Sequence, residues 1–435
     1  MSEGYDVVVC GGGTAGAVAA IAAGRAGAKT LVIEQLGSLG GTQANGWVTP
    51  MMPNYLGEFR LSRGINLDIL AEQAKLQPPG KIDHGEEWYD PALLAFVLDN
   101  MATNAKVECL FNATLIDARK SGRQLQAVEI ATRGGRRWLE GRTFIDCTGD
   151  ADLAALVGAG LMGGNEAEEH QPMTLRFAMG NIDLQKLRSE DAGILRINTP
   201  DYVESGYHDA KQGEFGRRIE EAIAQGILAE DDLGYFQFFS VNGRPNELAF
   251  NTPRIAGLDP MDPFQMSKAY QVGRAKIYRI WQFMKAFVAG FDGAYISSIA
   301  PLMGIRESRR VVGEYILTED DHQTCRKFED VIARNRYPVD IHLKTGTDYR
   351  KFPPGEWHDI PYRSLVIKGF DNLWVAGRCL SADFVAQSAV RIQPVCRAMG
   401  EAAGNAAALC VEKGLAAQNL PYQMLRSKLD LSLPA

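Results

Sequence analysis

The chain has 435 residues, of which 46% are hydrophobic, and a formal net charge of −7. This length exceeds one ordinary domain, and the lack of any block dense in lysine and arginine argues against nucleic-acid binding. The sequence shows neither an export-signal pattern nor an apolar run of roughly 18 residues. We therefore expect a cytoplasmic protein with no nucleic-acid or membrane partner.

The N-terminal segment predicts a β-α-β unit. Tyr5–Cys10 is a short, valine-rich apolar run that predicts a buried strand. An alanine-rich helix pattern follows from Thr14 to Gly27, and Lys29–Glu34 is a second apolar strand pattern. A right-handed crossover between them makes the two strands parallel.

Helix and strand patterns alternate in the segment that follows. They predict helices over Leu67–Leu76 and Pro91–Asn104, and strands over Val107–Phe111, Leu125–Ala131 and Thr143–Asp146. The pair Gly134-Gly135 lies between the last two strands and predicts the turn of a hairpin.

The composition changes near Met162, where valine-rich patterns give way to aromatic and charged residues. In this region Tyr235–Phe250 predicts two antiparallel strands around an Asn-Gly turn, and Asp262 to Phe287 predicts a long helix. From Asn372 to Lys413 the first style returns, as a strand followed by an alanine-rich helix. These changes predict a nucleotide-binding domain over residues 1–161 and 360–435, interrupted by a substrate domain over 162–359.

The spacing Gly11-x-Gly13-x-x-Gly16 lies between the first strand and the first helix. Glycines there permit a tight turn, a close approach to a pyrophosphate, and close packing of helix on strand. The helix N-terminus offers free amide groups to the phosphates. Glu34 follows about 20 residues later, where a carboxylate accepts a hydrogen bond from a ribose hydroxyl. The pattern predicts a dinucleotide site and leaves NAD and FAD open.

A second match to the same spacing, Gly158-x-Gly160-x-x-Gly163, provides a comparison. It follows a helix pattern instead of a strand, and no β-α-β unit surrounds it. We interpret it as a glycine-rich turn after a helix.

The seven cysteines are Cys10, Cys109, Cys147, Cys325, Cys379, Cys396 and Cys410. None forms a CxxC pair, so the spacing predicts no iron–sulfur or zinc site and no metal ligands. Most lie in apolar runs, which is typical of buried thiols in a reducing compartment. A redox-active disulfide between distant cysteines remains an alternative.

Several stretches carry a family resemblance. They are "GGGTAG…VIEQ…GG", "IDCTGDADLAA", "QPMTLRF", "GIRESRRVVGEY", "NLWVAGR" and "RAMGEAAGNAAAL", and they extend from residue 11 to residue 409. The chain resembles the FAD-dependent oxidoreductases of the glutathione-reductase-like superfamily, and most closely the subgroup similar to the flavin subunit of heterodisulfide reductase. It lacks the clustered cysteines of that subunit. The implied fold class is α/β: a Rossmann-like FAD-binding domain (parallel sheet with helices, β-meander) with an inserted α+β substrate domain.

The resemblance implies that FAD is bound in an extended pose. It assigns Gly11, Gly13, Thr14, Ala15 and Gly16 to the pyrophosphate, Glu34 to the adenosine ribose with Gln35 beside it, Gly41 and Thr42 to the phosphate and flavin side, Leu115 to a backbone contact with adenine, Cys147, Thr148 and Gly149 to the strand end beside the adenosine half, and Gly377 and Arg378 to the second phosphate and ribityl chain.

The C-terminal alanine-rich helix has a predicted electrostatic role. Pro394 suits a first helical position, because its missing N–H would be unpaired there. A helix that begins here can point its amides and dipole at the flavin pyrimidine edge, where reduced flavin is negatively charged. Arg391, just before it, is a candidate for a full positive charge at that edge. A small-residue packing face formed by the helix alanines is compatible with this role.

Candidate catalytic residues lie in the predicted substrate domain. Arg306, Glu307 and Arg309 cluster in "GIRESRR", where an arginine is a candidate clamp for an anionic or polar substrate and Glu307 a candidate base. The alternative is an ion-paired turn or a strut between domains. His170 is the candidate proton shuttle, since its unperturbed pKa lies near neutrality, and a structural histidine is the alternative.

The leading prediction is an enzyme, an FAD-dependent oxidoreductase that acts on a small-molecule substrate by hydride or electron transfer to the flavin. One alternative is an electron-transfer subunit that reduces a partner protein, and another is an NAD(P)-dependent dehydrogenase. The size of the 162–359 region favours a private substrate pocket. The sequence leaves the substrate, the electron acceptor and a homo-oligomeric state open.

Overall fold

The computed structural model describes residues 4–77, 88–190, 193–200, 202–206, 213–343 and 346–434. Its helices are α1 (Thr14–Arg25), α2 (Ile65–Leu76), α3 (Pro91–Asn104), α4 (Asp152–Leu156), α5 (Leu184–Ser189), α6 (Gly213–Ala224), α7 (Pro263–Phe287), α8 (Glu319–Gln323), α9 (Phe384–Val390), α10 (Gln393–Lys413) and α11 (Tyr422–Arg426). Among the described residues, none of these helices has the length and apolar character that crossing a membrane requires.

The strands, in chain order, are β1 (Tyr5–Cys10), β2 (Thr30–Ile33), β3 (Tyr55–Leu56), β4 (Phe59–Arg60), β5 (Glu108–Leu110), β6 (Thr114–Ser121), β7 (Gln124–Thr132), β8 (Gly135–Asp146), β9 (Leu161–Gly163), β10 (Met173–Thr174), β11 (Phe177–Gly180), β12 (Leu195–Asn198), β13 (Val203–Ser205), β14 (Phe238–Val241), β15 (Arg244–Phe250), β16 (Arg254–Ile255), β17 (Tyr295–Ile299), β18 (Arg309–Val311), β19 (Val331–Asn335), β20 (Val339–His342), β21 (Thr347–Arg350), β22 (His358–Pro361) and β23 (Leu373–Val375).

The first sheet contains the predicted parallel β-α-β unit. β1 pairs in parallel with β2 on one side and β8 on the other, and β5 and β23 extend the parallel part beyond them. Val7, Val8 and Val9 are fully buried because both faces of this sheet are covered, which explains the uninterrupted apolar run in the sequence. The predicted Rossmann-like α/β core is confirmed.

The same sheet continues into an antiparallel meander of β6, β7 and β8. The hairpin predicted at Gly134-Gly135 is present, with Thr132 paired to Gly135 across the turn. The sequence analysis missed β6. Most of its residues are exposed or half-buried at the sheet edge, so the strand lacks the alternation of buried and exposed residues that marks a sheet face.

A second sheet, in the order β12-β13-β14-β15-β11-β17, is antiparallel and packs with α7 around its own hydrophobic core. β14 and β15 form the predicted hairpin around Asn242-Gly243, and Gly243 takes the positive φ of 72° that the turn requires. α7 starts where the sequence predicted, because the Asp262 side chain caps the amides of Phe264 and Gln265.

The predicted domain boundaries at 161/162 and 359/360 stay a prediction. The second core draws its buried residues from Met173 to Met303. Leu317, Ile332 and Tyr337, which the prediction places in the substrate domain, are buried in the core that surrounds α1 and α10.

Helix α10 packs directly on α1 and so ties the C-terminal part of the chain to the dinucleotide unit. A Cβ on Gly400 would lie 2.2 Å from the Ala15 carbonyl oxygen, and one on Gly404 would lie 2.2 Å from that of Ala19. The two helices therefore touch through their backbones. α10 begins at Gln393, so Pro394 occupies the second helical position instead of the predicted first.

The contact between α10 and α2 contains a buried carboxyl group that predicts a pH-dependent stability. Glu401 accepts a hydrogen bond from the Ile65 amide at 3.0 Å, and burial raises its pKa to about 7. The folded chain therefore holds this proton more tightly than the unfolded chain. The free energy of unfolding is expected to fall by roughly 3 kcal/mol as the pH rises from about 4.5 to about 7, and then to level off.

Thermal unfolding across this pH range checks the expectation. Glu401→Gln should remove most of this decrease. At pH values above 7 the variant should therefore unfold at a higher midpoint temperature than the unaltered chain. Glu412→Gln is the matched control, since Glu412 lies on the same helix and its side chain is 63% exposed. An unchanged pH profile in Glu401→Gln would contradict the assignment.

Candidate functional site

A cavity of about 920 Å³ opens at the carboxyl ends of β1, β2, β8 and β23, the edge of a parallel sheet where α/β proteins bind ligands. Every residue predicted to bind the cofactor lines it, except Gly16. The lining residues from the prediction are Gly11, Gly13, Thr14, Ala15, Glu34, Gln35, Gly41, Thr42, Leu115, Cys147, Thr148, Gly149, Gly377, Arg378 and Arg391. Their individual roles stay predictions.

Several glycines of the loop at one end of the cavity have no room for a side chain. A Cβ on Gly16 would lie 1.8 Å from the Gly11 carbonyl oxygen, and one on Gly11, where φ is +91°, would lie 2.5 Å from the carbonyl oxygen of Cys147. A Cβ on Gly41 would lie 2.7 Å from the Gly13 Cα. Gly16 thus holds α1 against β1, and the other glycines leave bare backbone along the cavity, as a pyrophosphate requires.

Helices α1 and α10 begin at the cavity, and neither has a side-chain cap. The N-cap residues are Gly13 for α1 and Ile392 for α10, and no side chain accepts from the first amides of either helix. Aspartates cap α3, α7 and α9. The amides of α1 and α10 are therefore available to a negatively charged ligand. The glycine loop and the uncapped helices together fit the dinucleotide that the sequence implies.

The Glu34 side chain is held in place by backbone amides, one of which belongs to the glycine loop. Its carboxylate accepts hydrogen bonds from the Gly12 and Leu36 amides, each at 2.8 Å. Burial raises the pKa of this carboxyl, and the two amides oppose the rise. These bonds fix the carboxylate on the cavity wall, where its remaining lone pairs are able to accept from a ribose. Leu115 lies across this end, in the strand β6 that the sequence analysis missed.

Arg378 and Arg391 carry positive charge along the cavity. Arg378 forms an ion pair with Asp150 at 2.8 Å and donates to Ser308. Arg391, at the end of α9, donates to the Asp340 carbonyl oxygen at 3.0 Å. The Arg391 Nε is buried and has no hydrogen-bond partner among the described residues.

Three of the four predicted catalytic residues do not line the cavity. Glu307 is fully buried, accepts from the Gly164 amide, and pairs with both His170, at 2.8 Å, and Arg310. The Glu307 bond raises the pKa of His170. Arg309 donates to the Asp150 carbonyl oxygen and pairs with Asp152 at 2.5 Å. The catalytic assignment of His170, Glu307 and Arg309 stays a prediction, and this geometry favours the alternative of an ion-paired strut.

Arg306, the fourth, lines the other end of the cavity. We call this end the substrate chamber and define it by five residues that line it: Arg176, Tyr235, Arg306, Asp340 and His342. The chamber lies where the second sheet and the β20–β21 hairpin face the dinucleotide end.

His342 is held as a neutral ring in the chamber. Burial and the charge of Arg306 lower its pKa to about 3. Its Nδ1 lies 2.5 Å from an Arg254 nitrogen, and a guanidinium only donates, so Nδ1 is the acceptor. The proton therefore resides on Nε2, which lies 3.4 Å from the Asp340 carboxylate.

Asp340 is the one carboxylate that lines the substrate chamber as defined. Burial opposes its charge, but the His342 hydrogen bond and the guanidiniums of Arg391 and Arg306 outweigh burial and bring its pKa well below the usual range. Its contacts are long: 3.4 Å to His342, 3.6 Å to Arg391 and 3.3 Å to the Tyr337 hydroxyl. A substrate group is therefore able to compete for this carboxylate.

The sequence analysis missed Arg176, Tyr235, Asp340 and His342 as site residues. Arg176 lies within "QPMTLRF", which was noted only for the family resemblance. Asp340 and His342 alternate with apolar residues in "VDIHL", so they share one face of a strand. That alternation was the available signal.

Comparison with known proteins places the chain in a family. The profile of a family described as FAD dependent oxidoreductase matches residues 6–429. No curated protein sequence matches significantly.

Two solved structures are among those that match the chain. A p-nitrophenol 4-monooxygenase from Pseudomonas putida DLL-E4 is 12% identical, with a TM-score of 0.47 over 100% of this chain and 91% of that one. A flavin-dependent brominase, in a triple-mutant form, is 12% identical, with a TM-score of 0.47 over 97% of this chain and 84% of that one. The family match spans nearly the whole sequence, including every residue of the cavity. The chain therefore belongs to the FAD dependent oxidoreductase family, and FAD is its cofactor.

Proposed function

We propose that this enzyme oxidises a small organic molecule in the substrate chamber, with transfer of a hydride or an electron pair to the flavin. One observation carries the proposal: a single cavity joins the glycine loop to a chamber lined by ionisable side chains. When bound, FAD accepts the electrons, and the chain must hold the substrate and manage its proton.

The chamber residues divide these tasks. Asp340 accepts the proton that the substrate releases on oxidation, because it is ionised and its present contacts are long. His342 offers an N–H to a substrate oxygen, and its Nδ1 lone pair is already occupied by Arg254. His170, Glu307 and Arg309 act as positioning residues that fix the segment carrying Arg306.

Within the family, we propose the subgroup similar to the flavin subunit of heterodisulfide reductase. Its two distinguishing stretches, "QPMTLRF" and "GIRESRR", contribute Arg176 and Arg306 to the same chamber wall. This shared placement supports a common function for the two stretches, which lie more than a hundred residues apart. The proposed enzyme uses its own substrate pocket, without a partner protein as electron acceptor or donor at this site.

The test is a screen of flavin reduction without oxygen. The purified protein should be yellow, with the spectrum of oxidised flavin, and one class of small metabolites should bleach it faster than the same metabolites bleach free FAD. Bleaching by NADH or NADPH alone would favour a reductase. Bleaching only by a protein donor would favour the electron-transfer alternative, and either result would overturn the proposal.

A further inference from the structure

We propose that the substrate is an organic anion with an apolar body, and that Arg176 and Arg306 bind its carboxylate. This inference rests on the proposed function, because it names the class of molecule that enters the substrate chamber.

Both guanidinium groups are buried, and neither forms an ion pair with a carboxylate of the described residues. Arg176 is 7% exposed and Arg306 is 9% exposed. Arg176 donates to the Trp47 carbonyl oxygen at 3.3 Å, and Arg306 to neutral oxygens of Pro172 and Thr174. Within the described chain, neither has a carboxylate within 4.0 Å. A buried cation without an anion is costly, so an anion from solution is the expected partner.

The charge balance around the chamber leads to the same conclusion. Arg391, which also lines the cavity, and Arg254 lie close enough to Arg306 for their charges to lower its pKa. Against these four guanidiniums stands the carboxylate of Asp340, and His342 is neutral. Glu204 also lines the cavity, but Arg196 already pairs with its carboxylate at 2.5 Å. Burial and the neighbouring Arg391 lower the pKa of Arg306 to about 9, and burial alone lowers that of Arg176 to about 10.

The two arginines lie near each other, since the charge of Arg176 lowers the pKa of Arg306. Thr174 and Arg176 both line the cavity, while Leu175 between them points into the second core, as expected for alternating positions of an extended chain. Arg306 donates to the Thr174 hydroxyl at 2.9 Å, so its guanidinium lies on the Arg176 side of this segment. Paired guanidinium forks match the two oxygens of a carboxylate.

The two arginines lie apart from the residues predicted to bind the cofactor phosphates. The glycine loop, the uncapped α1 and Arg378 lie at the dinucleotide end, whereas Arg176 directly precedes β11 of the second sheet and Arg306 lies in the loop before β18. Trp88, Phe239 and Tyr349 also line the cavity. These rings suit an apolar body on the bound anion.

Equilibrium binding tests the proposal without turnover. The probes are acetate, benzoate and 2-naphthoate, each compared with its neutral amide, and the readout is the change in the absorbance spectrum of bound oxidised FAD. We expect saturable binding of at least one aromatic carboxylate, at least tenfold tighter than its amide. Equal affinity for acid and amide, or no saturable binding by any of the three acids, would overturn the proposal.

Variants locate the binding site. Arg306→Met and Arg176→Met should each weaken carboxylate binding by about tenfold or more, the usual effect of losing a charge-assisted hydrogen bond. Arg217→Met is the control, because its side chain is 76% exposed and its loss changes net charge equally. Unchanged affinity in both chamber variants, with their flavin retained, would also overturn the proposal. If a chamber variant fails to fold, the acid-to-amide comparison in the unaltered protein still decides.

The two proposals fail separately. If carboxylates bind but no small molecule bleaches the flavin, the anion site stands and the proposed oxidation fails. If neutral metabolites bleach the flavin and no carboxylate binds, the oxidation stands and the anion site fails.

Discussion

Replacing Gly16 by alanine is expected to give a chain that is purified without flavin. The added Cβ would lie 1.8 Å from the Gly11 carbonyl oxygen and 2.9 Å from the Cys147 side chain. Neither the loop nor the strand end is able to move without separating α1 from β1, and overpacking of this kind costs about 3 kcal/mol or more. The amides at the start of α1 would then no longer converge on the pyrophosphate. Flavin content, measured by absorbance after purification, should fall to about a tenth or less.

The chain contains a matched control for this variant. Gly163 is the third glycine of the second GxGxxG spacing, and a Cβ there would have no neighbour closer than 3.8 Å. Gly163→Ala should therefore retain flavin. Circular dichroism shows whether each variant keeps its secondary structure. A folded Gly16→Ala chain with full flavin content would refute the role assigned to the glycine loop.

The contrast between these two glycine spacings explains much of what the sequence could predict. β1, α1 and β2 were predictable because a doubly covered parallel sheet demands uninterrupted apolar runs, and the tight turn between them demands glycine. The second spacing follows the short helix α4, where Gly158 only supplies a positive φ of 72° for a turn. β6 was not predicted because its side chains are mostly exposed, so neither an apolar run nor a required glycine marks the strand in the sequence.

The substrate chamber was less predictable than the dinucleotide end. Its residues come from an extended segment near residue 176, the loop at Arg306 and the strand β20, which local patterns do not connect. The stretch "GIRESRR" was predicted to contain site residues, but local sequence does not show which of its side chains face a cavity. There Arg306 faces the chamber, while Glu307 turns away to His170 and Arg310. That division depends on packing between distant segments.

Replacing Asp340 by asparagine is expected to slow flavin reduction by the identified substrate by about 10²–10⁴-fold, the range for losing a proton acceptor. Glu204, which lines the same cavity as Asp340, already accepts from Arg196 and Gln237, and the acceptor nitrogen of His342 is occupied by Arg254. Guanidiniums and protonated tyrosines offer no comparable acceptor. Stopped-flow measurement of flavin bleaching without oxygen gives the rate at saturating substrate.

Asp348→Asn is the control for this variant, because Asp348 pairs across the same hairpin with Ile341 and its side chain is 39% exposed. The Asp340→Asn chain should also bind benzoate more tightly, since a negative charge has left the chamber. A collapsed chamber would weaken binding instead, so the two measurements separate chemistry from misfolding.

The pH dependence follows from the same electrostatics. Because the pKa of Asp340 lies well below its usual range, the carboxylate of the free enzyme stays ionised on acidification. The bleaching rate of the unaltered enzyme at substrate concentrations far below saturation should therefore be level between about pH 5 and 8. Arg306 is among the charges that hold this pKa down. An anionic substrate on Arg306 would cancel that influence and raise the proton affinity of Asp340 when a proton must be accepted. A neutral substrate analogue would leave Asp340 a weaker base, and it should therefore bleach the flavin more slowly even at saturation.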